Sequence, residues 1–203
     1  TVCSIWQGIH QLRFDVNRNL NGWKIAYGAS AQLAGYTNTT FNVLRKEIRD
    51  AGGNIVQPAV IANFNSPLNN FFKLGAFIQA GKRFASNRLG ISAGIRTDMN
   101  TFTKDGMNGL QTFSPRISFS YVLADKWTWN SSAGVYYKIP PYTILGFAGN
   151  NNELINKNAR YQRSNHYTTG FEYLPNDGLR FTVEGFYKQY SHVPVSVRNG
   201  ISL

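Results

Sequence analysis

Cysteine occurs once, as Cys3, so the chain can form no internal disulfide and no cysteine-based metal site. No run approaches the ~18 consecutive apolar residues of a transmembrane helix, and no basic-then-apolar leader opens the chain. If this chain meets a membrane, it does so with strands. His10, His166 and His192 share no metal-ligand spacing, no Gly-x-Ser-x-Gly elbow orders a serine, and no glycine-rich loop joins a strand to a helix. These absences predict a chain that is not an enzyme and carries no metal and no cofactor.

Charge is also sparse, at 15% of residues, yet its balance is +11. Such an excess raises nucleic acid as a partner only when the cations cluster. Here they are scattered, and the densest group, Arg45, Lys46 and Arg49, is interleaved with Glu47 and Asp50, so no nucleic-acid partner is expected. Anionic lipid headgroups and anionic ligands remain. What is abundant is aromatic and glycine: 14 Phe, 11 Tyr and 19 Gly, a profile of strands rather than helices.

Period-two alternation, the mark of a strand with two unlike faces, recurs along the chain. Between Gln111 and Ala124, Phe113, Ile117, Phe119, Tyr121 and Leu123 oppose Thr112, Ser114, Arg116, Ser118 and Ser120. Trp127, Trp129, Ala133, Val135 and Tyr137 then oppose Thr128, Asn130, Ser132, Gly134 and Lys138. The pattern repeats over Tyr161 to Tyr173, Leu179 to Lys188, Phe72 to Phe84 and Arg88 to Arg96. Weaker versions cover His10 to Val16 and Trp23 to Tyr36, joined by the hairpin dipeptide Asn21-Gly22. The sum is an all-β chain of about eight long antiparallel strands in meander order.

Connections alternate in length. Short turns at Ser86-Asn87, Asp125-Lys126 and Pro175 to Gly178 each follow a long loop, near Asn38 to Asn70, Asp98 to Leu110 and Ile139 to Arg160. Short periplasmic turns and long extracellular loops are the habit of a transmembrane β-barrel. Within the first long loop, Thr39 to Gly52 is expected to form a short helix, capped by Thr39 or Thr40 and presenting Phe41, Leu44 and Ile48.

Alternation alone fits a soluble β-sandwich as well, including a carbohydrate-binding one, which would bury Ile117, Phe119, Trp127 and Trp129. A small self-contained barrel with a structural or adhesive role is a further alternative. Two features favour a membrane barrel. Phe119, Tyr121, Trp127, Trp129, Phe171, Tyr173 and Phe181 gather at the short-turn ends, as an aromatic belt does. The strands also run longer than the ~5–6 residues usual in soluble sheets.

The series Phe113-Ser114-Pro115-Arg116, Lys126-Trp127, Gly134-Val135-Tyr136-Tyr137-Lys138-Ile139-Pro140-Pro141-Tyr142, Gly170-Phe171-Glu172-Tyr173-Leu174-Pro175 and Phe181-Thr182-Val183-Glu184-Gly185-Phe186-Tyr187-Lys188 resembles the barrel of TonB-dependent outer-membrane receptors of the Bacteroidetes type. Leu74 to Gln79 and Gly94 to Asp98 extend the likeness upstream. The resemblance implies a parent barrel of about 22 strands with an N-terminal plug and a TonB box. Residues 1–203 then read as one internal barrel segment without the plug, located in the outer membrane. It implies import of a scarce nutrient, such as a metal chelate, a cobamide or a glycan, driven through TonB. The partners implied are outer-membrane lipid, the remainder of the barrel and its plug, the TonB complex engaged through the absent N-terminal region, and a small-molecule or glycan ligand.

Candidate site residues fall into two sets. Lumen charges are expected at Arg83, Arg88, Arg96, Arg116, Lys138, Glu172, Arg180 and Glu184, with Glu172 and Arg180 placed to pair across a turn. They read as docking for a plug or as paired charges, and alternatively as a wall favouring anionic ligands. Ligand contacts are expected at Tyr136, Tyr142, Asn150, Asn151, Asn152 and Tyr161, because aromatic and amide groups suit sugars and polar chelates.

Overall fold

The computed structural model describes residues 2–149 and 153–195. Its strands are β1 (Val2–Leu20), β2 (Trp23–Arg45), β3 (Ile48–Arg49), β4 (Ile55–Gln57), β5 (Val60–Phe84), β6 (Leu89–Asn100), β7 (Ser114–Ala124), β8 (Trp127–Lys138), β9 (Gln162–Asn176) and β10 (Leu179–Ser191). Apart from the small β3–β4 hairpin, they form one eight-stranded antiparallel sheet in the order β1-β2-β5-β6-β7-β8-β9-β10. The sheet is open, with β1 and β10 at its edges, and curls so that its polar face is concave.

The helix expected over Thr39 to Gly52 does not form. Thr39 instead pairs across the ladder, facing Ser4 on β1 and Asn65 on β5, and β2 continues to Arg45. Threonine, phenylalanine and valine at alternate positions favour the extended chain, and paired partners on both sides outweigh three apolar residues at helical spacing. What reads as a loop over residues 38–70 is a tall hairpin tipped by β3 and β4. The other two long connections stay loops, holding a 3-10 turn at Gly109–Thr112 and a single helical turn, α1, at Tyr142–Leu145.

Register fixes the two faces. Ile25, Ala80, Ala93, Ile117, Ala133, Tyr167 and Tyr187 form one continuous row across β2 to β10 on the convex face. One residue along each strand, Ala26, Gln79, Gly94, Arg116, Gly134, His166 and Lys188 form a row on the concave face. A slip of one residue anywhere would exchange them.

The same register gives the tilt. The convex row crosses β2 two residues above Trp23, β6 four above Leu89, β8 six above Trp127 and β10 eight above Leu179. The turns thus descend by one residue per strand, ~3.3 Å against a strand spacing of ~4.8 Å, a tilt of ~35°. That is the slope a closed transmembrane barrel requires.

Ten residues up each strand from the short turns, the convex face reaches Leu33, Leu74, Met99 and Tyr137. At this tilt ten residues rise about 27 Å, close to the apolar band of outer-membrane barrels. Its lower rim is a ring of aromatics in contact: Trp127 stacks on Tyr173 at 4.5 Å, Tyr173 on Phe181 at 6.4 Å, Phe119 meets Trp129 edge-on at 4.7 Å, and Trp23 meets Phe84 at 6.4 Å. The band is uncovered: Ile117 is 53% exposed and Trp127 45%. A soluble sandwich would place a second sheet over these residues, and among the described residues none packs there.

The buried core lies elsewhere, on the concave side at the long-loop end. Ala34, Tyr36, Leu68, Phe71 and Leu145 are packed under Phe102, Ile139, Tyr142, Leu154 and Ala159, so the β6–β7 and β8–β9 loops fold inward over the sheet. Gly146 is required there, because a Cβ would collide with the Ser66 hydroxyl and lie 3.0 Å from the Tyr142 carbonyl oxygen.

Candidate functional site

Alternation along β1, β2 and β5 to β10 delivers the polar side chains to one concave wall, along which they line cavities at three heights. The lowest, about 870 Å³, brings together Arg83 and Glu184 with Lys24, Gln79, Ser92, Ser118, Ser120, Asn130, Ser132 and Thr168. Above it a cavity of about 360 Å³ holds Arg96, Arg116 and Tyr136 with Arg13, Gln79 and Ser132. The uppermost, about 340 Å³, holds Lys138, Tyr161 and Arg96 with Lys73, Asp98 and Gln32.

Several wall charges are neutralised within the sheet. Arg96 grips Asp98 with two hydrogen bonds of 2.8 and 2.5 Å, and Arg13 holds Asp15 at 2.5 Å. Residues two apart on a strand share a face, which is why these pairs form. Glu172 and Arg180 pair across the β9–β10 turn. Arg116 is different, because its guanidinium lies 4.2 Å from the Tyr136 ring centre and Tyr136 in turn lies 4.5 Å from His166. Lys188 faces His166 across the ladder. This leaves a positive patch backed by aromatic surface on the middle of the wall, with Gly134 beside Arg116 giving it room.

Arg88 is not a wall residue. It sits in the β5–β6 turn, where its guanidinium donates to the Val122 carbonyl at 3.3 and 3.1 Å and to the Leu123 carbonyl at 3.1 Å. It ties two neighbouring turns together instead of facing the lumen. Alternation could not foresee this, because residues 85–87 all adopt positive φ and break the strand's parity.

Of the expected ligand contacts, Tyr136 faces the middle cavity and Tyr161 the upper one. Tyr142 is committed to the loop core: its ring packs on Phe71 at 5.7 Å and Tyr36 at 6.2 Å, and its hydroxyl accepts from Lys73 at 3.1 Å. Asn150, Asn151 and Asn152 lie outside the described residues.

Sequence reasoning missed Asn100, the residue that organises the roof. Fully buried, it accepts from the Phe102 and Thr103 amides at 3.0 and 2.8 Å and donates to Thr103 at 3.0 Å and to the Tyr161 hydroxyl at 3.1 Å. It therefore locks the β6–β7 loop to the base of the β8–β9 loop. The available signal was an asparagine at a strand end, which turns the chain by binding backbone amides two and three residues on. Burial raises the Tyr161 pKa above its usual 10.0; the Asn100 bond opposes this and the Asp98 charge adds to it. Among the described residues no group of His, Cys, Asp and Glu converges as metal ligands.

The family model for the TonB-dependent receptor-like β-barrel matches residues 4–203. No curated protein matches the chain. Among solved structures, the chain is similar to the copper transporter OprC, at 17% identity and a TM-score of 0.62 over 92% of this chain and 30% of that one. It is similar to a variant of the ferric enterobactin receptor PfeA from Pseudomonas aeruginosa, at 16% identity and a TM-score of 0.59 over 92% and 27%. It is also similar to the siderophore receptor PirA from Acinetobacter baumannii, at 13% identity and a TM-score of 0.55 over 97% and 31%. At these identities the likeness is one of fold, and the chain spans between 27% and 31% of the structures it matches. With its two-faced, tilted sheet and a family match over nearly its whole length, the chain belongs to the TonB-dependent receptor-like β-barrel family.

Proposed function

We propose that this chain forms part of the wall of an outer-membrane importer that takes up a scarce nutrient, a metal chelate, a cobamide or a glycan, with energy delivered through TonB. The observation that carries it is the sheet itself: a mostly apolar convex band of bilayer height with an aromatic lower rim, backed by a polar concave wall, in a chain of this family. The named neighbours, a copper transporter and two receptors for iron-carrying ligands, favour a metal chelate among these cargoes. Residues 1–203 act as one barrel segment, with the lower wall charges Arg83, Glu172, Arg180 and Glu184 facing a plug. Arg96, Arg116, Tyr136, Lys138 and Tyr161, higher on the wall, line the ligand's route.

The test is uptake by cells lacking the gene, assayed with ferric chelates, a cobamide and oligosaccharides, with and without TonB. One cargo should lose its energy-dependent uptake in both deletions. Uptake of all three classes unchanged by either deletion would overturn the reading.

A further inference from the structure

Over the ten residues above each short turn, the convex face carries two Lys, Arg, Asp or Glu side chains among the described residues, Arg18 and Lys82, and a third, Arg163, lies opposite Tyr137 at the upper edge of the band. Arg18 faces Ile25 across β1 and β2, and Lys82 faces Trp23 and Ile91. Each lies two residues inside its strand end, at the level of the lower aromatic ring. The Lys82 ammonium sits 5.4 Å from the Trp23 ring centre and 5.9 Å from that of Phe84, and its stem would pass 3.7 Å from a Cβ at Gly22. Among the described residues, no convex-face carboxylate lies in that band to pair with either cation.

We propose that Arg18 and Lys82, with Trp23 between them, bind the phosphodiester headgroup of an anionic phospholipid in the leaflet that meets the short turns. The proposal rests on the membrane-barrel reading above. A lysine on the lipid face is costly at mid-bilayer and nearly free at the interface, so its depth decides what it meets. Here that depth is the aromatic belt, where lipid phosphates lie. The two rings attract the ammonium without using its three N–H donors, and those donors need acceptors that the surrounding apolar face lacks. Two cations flanking one indole, two strands apart, match a headgroup of net negative charge better than a zwitterion, whose own ammonium they repel. The uncharged band continuing above them accommodates the acyl chains.

The complete natural protein, stripped of lipid in detergent, is titrated with phosphatidylglycerol, phosphatidylethanolamine and diacylglycerol and read by native mass spectrometry. Phosphatidylglycerol should bind most tightly. The Arg18→Gln, Lys82→Gln double variant should lose about tenfold or more of that affinity, at ~1 kcal/mol per interfacial cation. Lys82→Arg should retain most of it, and Lys24→Gln, on the opposite face, should leave it unchanged. A double variant that binds phosphatidylglycerol like the wild type overturns the proposal, as does a wild type that holds diacylglycerol equally well. Should the double variant not fold, the wild-type ranking of the three lipids decides. A protein that binds no lipid and stays in solution without detergent overturns the membrane reading with it.

Discussion

Asn100 holds the loops at the long-loop end of the sheet together. Its carboxamide satisfies two backbone amides and reaches Tyr161 across 61 positions of sequence. Replacing Asn100 by Ala leaves these buried donors without partners, at about 1–3 kcal/mol. The Asn100→Ala protein should therefore show proteolytic cleavage between residues 101 and 113 at protease levels that spare the wild type. Tyr161 gives the matching pH response. Burial favours its neutral form, so the stabilisation is complete below the unfolded value of 10.0 and fades as pH rises through the higher folded value. Tyrosinate absorbance compared between wild type and Tyr161→Phe should show this one phenol ionising late, with loop protection falling over the same interval. The pairing of Glu172 with Arg180 was legible from sequence because the turn between them is short; the role of Asn100 was not, since its partners are backbone groups.

Individual strands were legible wherever apolar and polar residues alternate cleanly, as in β7 and β8, and where a turn dipeptide marks the end. Asn21 and Gly22, with φ of 49° and 79°, make the positive-φ turn that this dipeptide favours. Legibility failed in the upper part of β2. There the alternation of Thr37, Thr39, Phe41 and Val43 with Asn38, Thr40 and Asn42 is weakly hydrophobic on both sides and competed with a helical spacing. The two faces make opposite demands on substitution. Ala133→Lys places a charge on the convex face six residues above Trp127, near mid-band, and should cost ~2–4 kcal/mol in a bilayer. Ser132→Lys, its concave neighbour, should cost little. Urea unfolding of both variants in vesicles checks the contrast.

For the whole molecule, the sheet is an open arc whose turns step down by one residue per strand, and its edge strands β1 and β10 each present unpaired backbone groups. Such edges recruit further strands, and closure into a barrel satisfies them all. The most direct test of the central account, a membrane-facing convex band and a water-facing concave wall, is spin-label accessibility. Single cysteines are introduced at Ile117, Ala133 and Tyr167 and at Ser118, Ser132 and Thr168 in a Cys3→Ser background, and the protein is reconstituted in lipid. The account predicts that labels in the first row collide mainly with dissolved oxygen and those in the second mainly with a water-soluble nickel chelate, alternating with period two along each strand. Equal access of the chelate to both rows would contradict it.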